Sequence, residues 1–508
     1  ISEIFFLILF SQILFIFLNI KHNKFNLNFD LKIDGILVLI VFFSLFLISI
    51  LPLSDADSIS LYQYLPTVIY NQGLNDINFY QNLEFTLLSN TEILLLISPI
   101  LKSDNFGSIL NLVTLVFFVL INFKNNKNFI FIIFSSPLII YFISAQKLQL
   151  FFGLLYLLSF ILINKKLITK KWELFIFILL LTFYSSGKIS YILLTIPLFL
   201  YFFYINFHNW KNIFIYLLIS FLIVYLPLFI LKQYYFGNIL APFLDNLIGK
   251  NTESFNAFAF SLRSIAGWIS DPYNILLYLR PFFSFDLNHL ASSLGLVFLL
   301  MLIDIKLLKK TIYLPIILIF LVLATGQILP RYYFEAFLIL AFFYDFKTYR
   351  IPRFIIFAQF FIILIFSTLF VSISYIYEKV IFNKENFMNR FTYSYYDSQQ
   401  IKKLNISKNI LAFSRDRISL FIPDNVHSMR YIKSFNNLND SNLENQKNYI
   451  NDKKIEYIIS DDISKIPKCI VSDKIAEISQ KKSIRNFLNE NKSSINIVYK
   501  ITENNCNL

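Results

Sequence analysis

The stretch FIIFAQFFIILIFSTLFVSISY, Phe354–Tyr375, decides the fold because it is predominantly apolar and contains no charged residue. A helix needs about 20 apolar residues to cross the hydrocarbon core of a bilayer, and this run is long enough to do so. Directly after it the composition changes, and residues 378–508 are rich in Asn, Lys and Ser. The sequence therefore predicts a membrane domain over residues 1–376 and a second domain over residues 377–508.

Further apolar segments precede this stretch along most of the chain. The chain is 56% hydrophobic and only 15% charged, whereas soluble domains average about 25% charged residues. We therefore expect a polytopic α-helical membrane protein with about twelve transmembrane helices, the first of which fits an uncleaved signal anchor. The other predicted segments are Ile4–Ile20, Ile36–Leu53, Phe106–Ile121, Phe129–Ser144, Leu148–Ile163, Trp172–Tyr184, Ile189–Phe207, Ile213–Leu231, Ala291–Ile305, Thr311–Gly326 and Tyr332–Tyr344.

The distribution of cations predicts the orientation of these segments. The net charge is +13, but the cations lie mostly in short loops between apolar segments, so no nucleic-acid partner is expected. One set of alternate loops carries sixteen Lys and Arg, and the longer loops of the other set carry eight. Since the denser set is expected in the cytoplasm, the outer loops 52–105 and 232–290 and the C-terminal domain are predicted to be extracytoplasmic. The predicted location is the cytoplasmic (inner) membrane.

The C-terminal residues alternate short apolar runs with polar, helix-like segments. The runs are Ile410–Phe413, Ile418–Ile422, Tyr457–Ile459 and Ile495–Tyr499, and Leu443–Asn451 is an example of the polar segments. This alternation predicts a small soluble α/β domain that is large enough to have its own core.

Both cysteines of the chain, Cys469 and Cys506, lie in this domain. A disulfide between them would fit an oxidising compartment, and two unpaired thiols fit the sequence nearly as well.

Asp55 and Asp57 are the strongest candidates for chemistry because they directly follow an apolar segment at its predicted outer end. A carboxylate at that position is costly unless it is solvated, paired or functional. Two acids at this spacing can hold a divalent cation, or one can act as a general base. Alternatively they cap a helix, since Ser54 and Asp55 are good N-cap residues.

Five segments together resemble the bacterial branch of the GT-C-fold glycosyltransferases, which are polytopic enzymes that take sugars from polyprenyl-phosphate carriers. The resemblance covers most of the chain in order, beginning with the acidic pair and the aromatic run after it. The segments are Tyr62–Pro66 (YQYLP), Tyr235–Phe243 (YFGNILAPF), Leu294–Leu296 (LGL), Gln327–Tyr333 (QILPRYY) and Lys454–Ile459 (KIEYII).

The resemblance implies roles for particular residues. Asp55 or Asp57 would deprotonate the acceptor or hold a divalent metal. The resemblance implies no other cofactor. Arg331, with Lys188 as a second candidate, would bind the carrier phosphate, because cations match and neutralise that group. Snorkelling to the membrane interface is the alternative for both. Three further residues would contact the substrate, namely Tyr62, Tyr64 and Asn238. The alternative is an interfacial position for the two tyrosines and a turn position for the asparagine.

The leading hypothesis is therefore a membrane glycosyltransferase that moves a sugar from a polyprenyl-phosphate donor to a lipid, glycan or protein acceptor. An envelope-polysaccharide polymerase or a lipid-linked sugar flippase is a second class, for which Arg263 and Arg280 are available in the second outer loop. A non-catalytic membrane scaffold that binds partners through its C-terminal domain is a third.

Overall fold

The structure is a computed structural model of the chain, and it is described here for most of the membrane domain and part of the C-terminal domain. The described residues are 33–55, 57–72, 88–122, 127–241, 279, 282, 293–325, 329–345, 353–392, 394–406, 409–413, 426–428, 443–463, 466, 470–479 and 495–504.

Helices dominate the described residues up to position 403. In chain order they are α1 (Ile33–Ser49), α2 (Tyr64–Gln72), α3 (Asn90–Leu95), α4 (Ile97–Ile100), α5 (Phe106–Asn122), α6 (Lys127–Phe134), α7 (Pro137–Ile143), α8 (Gln149–Asn164), α9 (Lys171–Ser186), α10 (Ile189–Ile205), α11 (Trp210–Val224), α12 (Leu226–Phe236), α13 (Leu296–Ile303), α14 (Ile305–Lys310), α15 (Leu314–Ala324), α16 (Phe334–Phe343), α17 (Arg353–Ser372), α18 (Lys384–Phe391) and α19 (Tyr395–Lys403). Every predicted apolar segment from Ile36 onward overlaps one or two of these helices, and Ile4–Ile20 lies outside the described residues.

Two helical stretches among the described residues are long and apolar enough to cross a membrane, namely Phe207–Val224 and Arg353–Tyr377. Their surfaces are apolar: Phe354, Ile365 and Leu369, for example, are each more than half exposed. Large apolar side chains presented together on a surface mark a contact with lipid or with another protein. These helices support membrane association, while the count of twelve transmembrane helices stays a prediction.

Two predicted segments are divided in the structure. The segment Phe129–Ser144 forms α6 and α7, and Ile213–Leu231 forms α11 and the start of α12. In both cases the second helix has proline in its first two positions, at Pro137 and Pro227. Proline suits the start of a helix because its missing N–H is not needed there.

Buried polar side chains connect helices inside the bundle. The amide of Gln359 on α17 donates to the carbonyl of Ser135 at 2.9 Å and accepts from the N–H of Val297 at 3.1 Å. It occupies the space beside Gly295, whose φ of 95° already disfavours any side chain. Where water is excluded, such bonds satisfy backbone groups that would otherwise remain unpaired.

The described part of the C-terminal domain is a mixed sheet with a helix. The strands are β1 (Asn409–Ala412), β2 (Val426–Ser428), β3 (Ile455–Ser460), β4 (Ile470–Ser479) and β5 (Ile495–Asn504), and the helix α20 spans Leu443–Asp452. Their order in the sheet is β2-β1-β3-β5-β4, with β2, β1 and β3 parallel and the β3–β5 and β5–β4 pairs antiparallel. An α/β architecture is confirmed for this part of the chain. The predicted run Ile418–Ile422 lies outside the described residues.

The residues between bundle and sheet pack back onto the bundle. Phe387 and Phe391 of α18 are buried against Leu51, which follows the first described helix. The hydroxyl of Thr392 donates to the carbonyl of Leu53 at 2.7 Å. The beginning of the predicted C-terminal domain therefore covers the segment that leads into the acidic pair.

Candidate functional site

Asp55 caps the turn that follows the segment covered by α18. Its Oδ1 accepts hydrogen bonds from the backbone N–H groups of Asp57 and Ser58, both at 3.1 Å, and the Ser58 hydroxyl donates to Oδ2. The residue is only 1% exposed. Asp55 therefore has the capping role that its position allows, and its carboxylate does not face a substrate.

The ammonium group of Lys147 lies between the two aspartates. Nζ is 2.6 Å from Oδ2 of Asp57 and 3.5 Å from Oδ1 of Asp55. It also donates to the hydroxyl of Tyr141, whose ring centre is 4.8 Å away. Lys147 is only 2% exposed. Burial alone lowers the pKa of Lys147, but Asp57, Tyr141 and Asp55 outweigh it and hold the pKa above its ordinary value.

Hydrogen bonds of Gln146 and Asn111 hold the loop that carries Lys147. The backbone N–H of Gln146 donates to the Ser58 hydroxyl at 2.9 Å, which ties this loop to the capped turn. Asn111 donates to the carbonyls of Phe142 and Lys147 at 2.9 and 2.6 Å. Because these groups are buried and hydrogen-bonded, the backbone at Lys147 has one well-defined position.

Arg331 reaches the same carboxylate as Lys147. Its Nη1 is 3.4 Å from Oδ2 of Asp57 and 3.0 Å from the hydroxyl of Tyr141. The residue lies in the short 3₁₀ turn Pro330–Tyr332, directly before α16. Its Nε–H is buried without a hydrogen-bond partner among the residues that the structure describes. A buried donor without a partner is costly, so this group favours an incoming acceptor such as a phosphate oxygen.

Lys188 is the third cation of the cluster, at the start of α10. Its Nζ lies 4.2 Å from the centre of the Tyr332 ring, and Nη2 of Arg331 is 3.5 Å from the hydroxyl of the same tyrosine. Among the described residues, the Lys188 ammonium makes no hydrogen bond or ion pair. Burial lowers the pKa of Lys188, and the nearby cations Arg331 and Lys147 lower it further, against the opposing effect of Tyr332. An added negative charge would therefore be favourable here.

The turn before Lys188 is fixed by the loop 52–105, which was predicted to face outward. The hydroxyl of Ser89 donates to the carbonyl of Gly187 at 2.8 Å, and Thr91 donates to the same carbonyl. A Cβ on Gly187 would lie 2.5 Å from the ring of Phe152, so the close approach requires glycine. The outer loop therefore contributes both the carboxylates and the anchor for Lys188.

Three predicted substrate contacts are not presented as such in the structure. Tyr62 and Tyr64 are buried in the main hydrophobic core, so neither ring offers an open face to a sugar. Asn238 is fully buried and accepts a hydrogen bond from the N–H of Leu240 at 2.9 Å, beside Gly237 with its φ of 65°. This is the turn role that the sequence also allowed.

Four further predicted residues lie outside the described ranges. They are Cys469 and Cys506, the two ends of the predicted disulfide, and Arg263 and Arg280 of the second loop. No group of three or more His, Cys, Asp and Glu residues in the described ranges can hold a metal ion.

Sequence reasoning missed the residues that complete the cluster. Lys147, Tyr141 and Tyr332 all contact a predicted site residue, and Glu335 lies buried one turn after Arg331, where it accepts a hydrogen bond from Tyr184 at 2.9 Å. Lys147 carried a weak signal, since it is a cation in a sparsely charged set of loops. The tyrosines carried none in a chain with 30 of them.

Comparisons with protein-family models, with curated proteins and with solved structures find no match to this chain.

Proposed function

We propose that this chain is a membrane glycosyltransferase that moves a sugar from a polyprenyl-phosphate donor to a lipid, glycan or protein acceptor at the outer face of the cytoplasmic membrane. One observation carries the proposal: a partly exposed carboxylate, Asp57, contacts the buried Lys147 and Arg331, and both Arg331 and Lys188 lie beside the ring of Tyr332. Arg331 also has a buried Nε–H without a partner among the described residues, so the cluster favours an incoming anion.

The proposed reaction forms a bond between the acceptor oxygen and the anomeric carbon of the donor sugar. The bond from that carbon to the phosphate oxygen breaks, and polyprenyl phosphate leaves. Asp57 accepts the proton of the acceptor hydroxyl as general base, since its side chain is 33% exposed whereas Asp55 is buried in its capping role. Between the two acids considered from sequence, the geometry thus favours Asp57.

Arg331 and Lys188 take the donor phosphate in this proposal. The negative charge on the phosphate grows as the sugar leaves, so cations beside it stabilise the transition state more than the ground state. Arg331 supports this role through its buried Nε–H, which has no partner among the described residues. Lys188 supports it through an ammonium that lies over the face of the Tyr332 ring and has no hydrogen bond or ion pair among the described residues.

A lipid-linked donor fits a site placed at one end of a helical bundle. Arg331 lies before the first residue of α16, while Lys165 and Lys310 approach Phe342 and Phe343 at the opposite end of that helix. Arg331 belongs to the loops that are predicted to be extracytoplasmic, and Lys165 and Lys310 belong to the loops that are predicted to be cytoplasmic. Their positions at opposite ends of α16 support this orientation. We accordingly propose a multi-pass protein with about twelve spans and an extracytoplasmic C-terminal domain.

The proposal is tested by the lipid-linked sugars of a strain in which the gene is deleted. If the chain consumes a polyprenyl-phosphate sugar, mass spectrometry of lipid extracts will show that this donor accumulates in the deletion strain. A plasmid with the wild-type gene restores the normal level, and one with Asp57→Asn does not. Lys384→Gln is the matched control, because it removes an exposed ion pair with Asp104 outside the cluster.

Unchanged lipid-linked sugars and unchanged envelope glycans in the deletion strain would contradict the proposal. Accumulation of the donor on the cytoplasmic leaflet alone would instead assign the chain to the flippases.

A further inference from the structure

The pair Asp55 and Asp57 has the spacing of a divalent-cation site, and a metal was one of its two uses expected from sequence. In the structure Lys147 lies where such a cation would bridge the two carboxylates, 2.6 Å from Asp57 and 3.5 Å from Asp55. We infer that the Lys147 ammonium replaces a divalent cation at this pair, so that the transferase proposed above works without one. Only the part of the inference that concerns turnover rests on that proposed function.

The donor set at the pair does not suit a divalent metal. Mg²⁺ and Ca²⁺ need six or more oxygen ligands, and carboxylates that bind them direct their oxygens at the ion. Asp55 instead uses Oδ1 for two backbone N–H groups and Oδ2 for the Ser58 hydroxyl. A metal next to Lys147 and Arg331 would also be repelled by two fixed positive charges.

Lys147 has the properties that a permanent structural cation requires. It is buried, and it has three anionic or polar partners in Asp57, Asp55 and Tyr141. Its pKa lies above the ordinary value, because the effect of these partners exceeds that of burial. The ammonium therefore stays charged at neutral pH, without dependence on a free ion.

Lys147 acts in this scheme as a positioning residue. It holds Oδ2 of Asp57 at 2.6 Å and keeps that carboxylate ionised, while Arg331 contacts the same oxygen at the longer distance of 3.4 Å. When Arg331 moves to a phosphate, Lys147 remains and fixes the base. A metal would compete for the same oxygen and for the donor phosphate.

The first test uses Mn²⁺ as probe and the purified full-length protein in detergent. Electron paramagnetic resonance measures Mn²⁺ binding to the wild type and to Asp57→Asn. We expect the same Mn²⁺ binding for both, because the wild-type site holds Lys147 instead. Binding by the wild type that Asp57→Asn abolishes would overturn the inference, whatever the activity of either protein.

The second test removes the built-in cation with Lys147→Gln and keeps it with Lys147→Arg. Without the ammonium, its repulsion of a divalent cation is removed, so the Mn²⁺ affinity is expected to rise at least tenfold, although the site stays weak because Asp55 keeps its hydrogen bonds. The double variant Lys147→Gln, Asp57→Asn loses that gain. Lys147→Arg behaves like the wild type. A folded Lys147→Gln protein without any gain would overturn the placement of a cation site here, and if it does not fold, the comparison of wild type with Asp57→Asn decides.

Turnover separates this inference from the proposed function. Membranes with the wild-type protein are expected to consume polyprenyl-phosphate sugar at the same rate with and without EDTA. Consumption that EDTA abolishes and Mn²⁺ restores would overturn the inference and leave the glycosyltransferase proposal intact. No consumption in either condition would contradict the proposed function, while the Mn²⁺ measurements still decide the inference.

Discussion

The guanidinium of Arg331 lies 3.4 Å from the carboxylate of Asp57, although 274 positions separate the two residues in the chain. The contact is longer than the 2.6 Å between Asp57 and Lys147, and Asp57 is partly exposed. The phosphate of the donor has a geometry that suits a guanidinium, and its negative charge grows as the sugar leaves, so it would outcompete a partly solvated carboxylate. Arg331 thus lies where it can release the carboxylate of Asp57, the proposed base, and bind the phosphate of the proposed leaving group.

Substitution of Arg331 is expected to reduce turnover far more than stability. Arg331→Gln removes the phosphate partner and should lower the rate of donor consumption by roughly 10²- to 10³-fold, in line with loss of a transition-state donor. Arg331→Lys keeps the charge but loses the fork geometry, so an intermediate loss is expected. The rate is measured in membranes that contain equal amounts of each protein.

The control for Arg331 is Arg390→Gln. Arg390 also forms an ion pair, with Glu378, and also contacts aromatic rings, but it lies on α18 outside the cluster. Equal effects of Arg331→Gln and Arg390→Gln would show that Arg331 acts through the fold alone.

Asp55 and Asp57 are expected to differ in the kind of defect that their loss produces. Asp57→Asn leaves Lys147 paired with Asp55, so folding persists while a general base worth about 10²- to 10⁴-fold in rate is lost. Asp55→Ala removes an N-cap and should lower the free energy of unfolding by about 1–2 kcal/mol. Thermal unfolding in detergent and donor consumption, measured on both variants, distinguish the two. Identical profiles would contradict the division of roles.

The helices that overlap the apolar segments could be predicted because a long apolar run between polar loops favours a helix, although only two helical stretches among the described residues are long and apolar enough to cross a membrane. Division of a segment was harder to predict, since Pro137 and Pro227 start new helices while Pro197 lies inside the continuous helix α10. In the sheet, β4 escaped notice because Asp473, Lys474 and Glu477 interrupt its apolar pattern. Such charges are typical of an edge strand, which is where β4 lies.

The site was half predictable. Asp57 and Arg331 carry signals of their own, because an ionisable group at the end of an apolar segment needs a reason to be there. Lys147 carries only a weak signal: a lysine between two helices is ordinarily a marker of topology, and only the fold shows that it is buried beside Asp55. Tyr62 and Tyr64 illustrate the converse, since an aromatic run near a predicted interface proved to be core.

The loop that carries Lys147 depends on a glycine, and this gives a stability test that is independent of catalysis. A Cβ on Gly107 would lie 2.5 Å from the backbone carbonyl oxygen of Gln146, and it would also collide with the amide of that side chain. Backbone cannot yield as a flexible side chain can, so Gly107→Ala should lower the free energy of unfolding by about 1–3 kcal/mol. The displaced loop should also reduce donor consumption, because Gln146 precedes Lys147.

Gly153→Ala is the matched control for Gly107→Ala. Gly153 lies within α8, and a Cβ there would meet only side-chain atoms of Leu338 and Phe334, at 3.1 and 3.4 Å. Alanine gains up to about 1 kcal/mol of helix propensity over glycine, which offsets this milder crowding. Thermal unfolding should therefore change little for Gly153→Ala and substantially for Gly107→Ala. If both variants unfold at the wild-type temperature, this contradicts the close packing of α5 on the Gln146 loop. It then also contradicts the fixed position of Lys147, which depends on that packing.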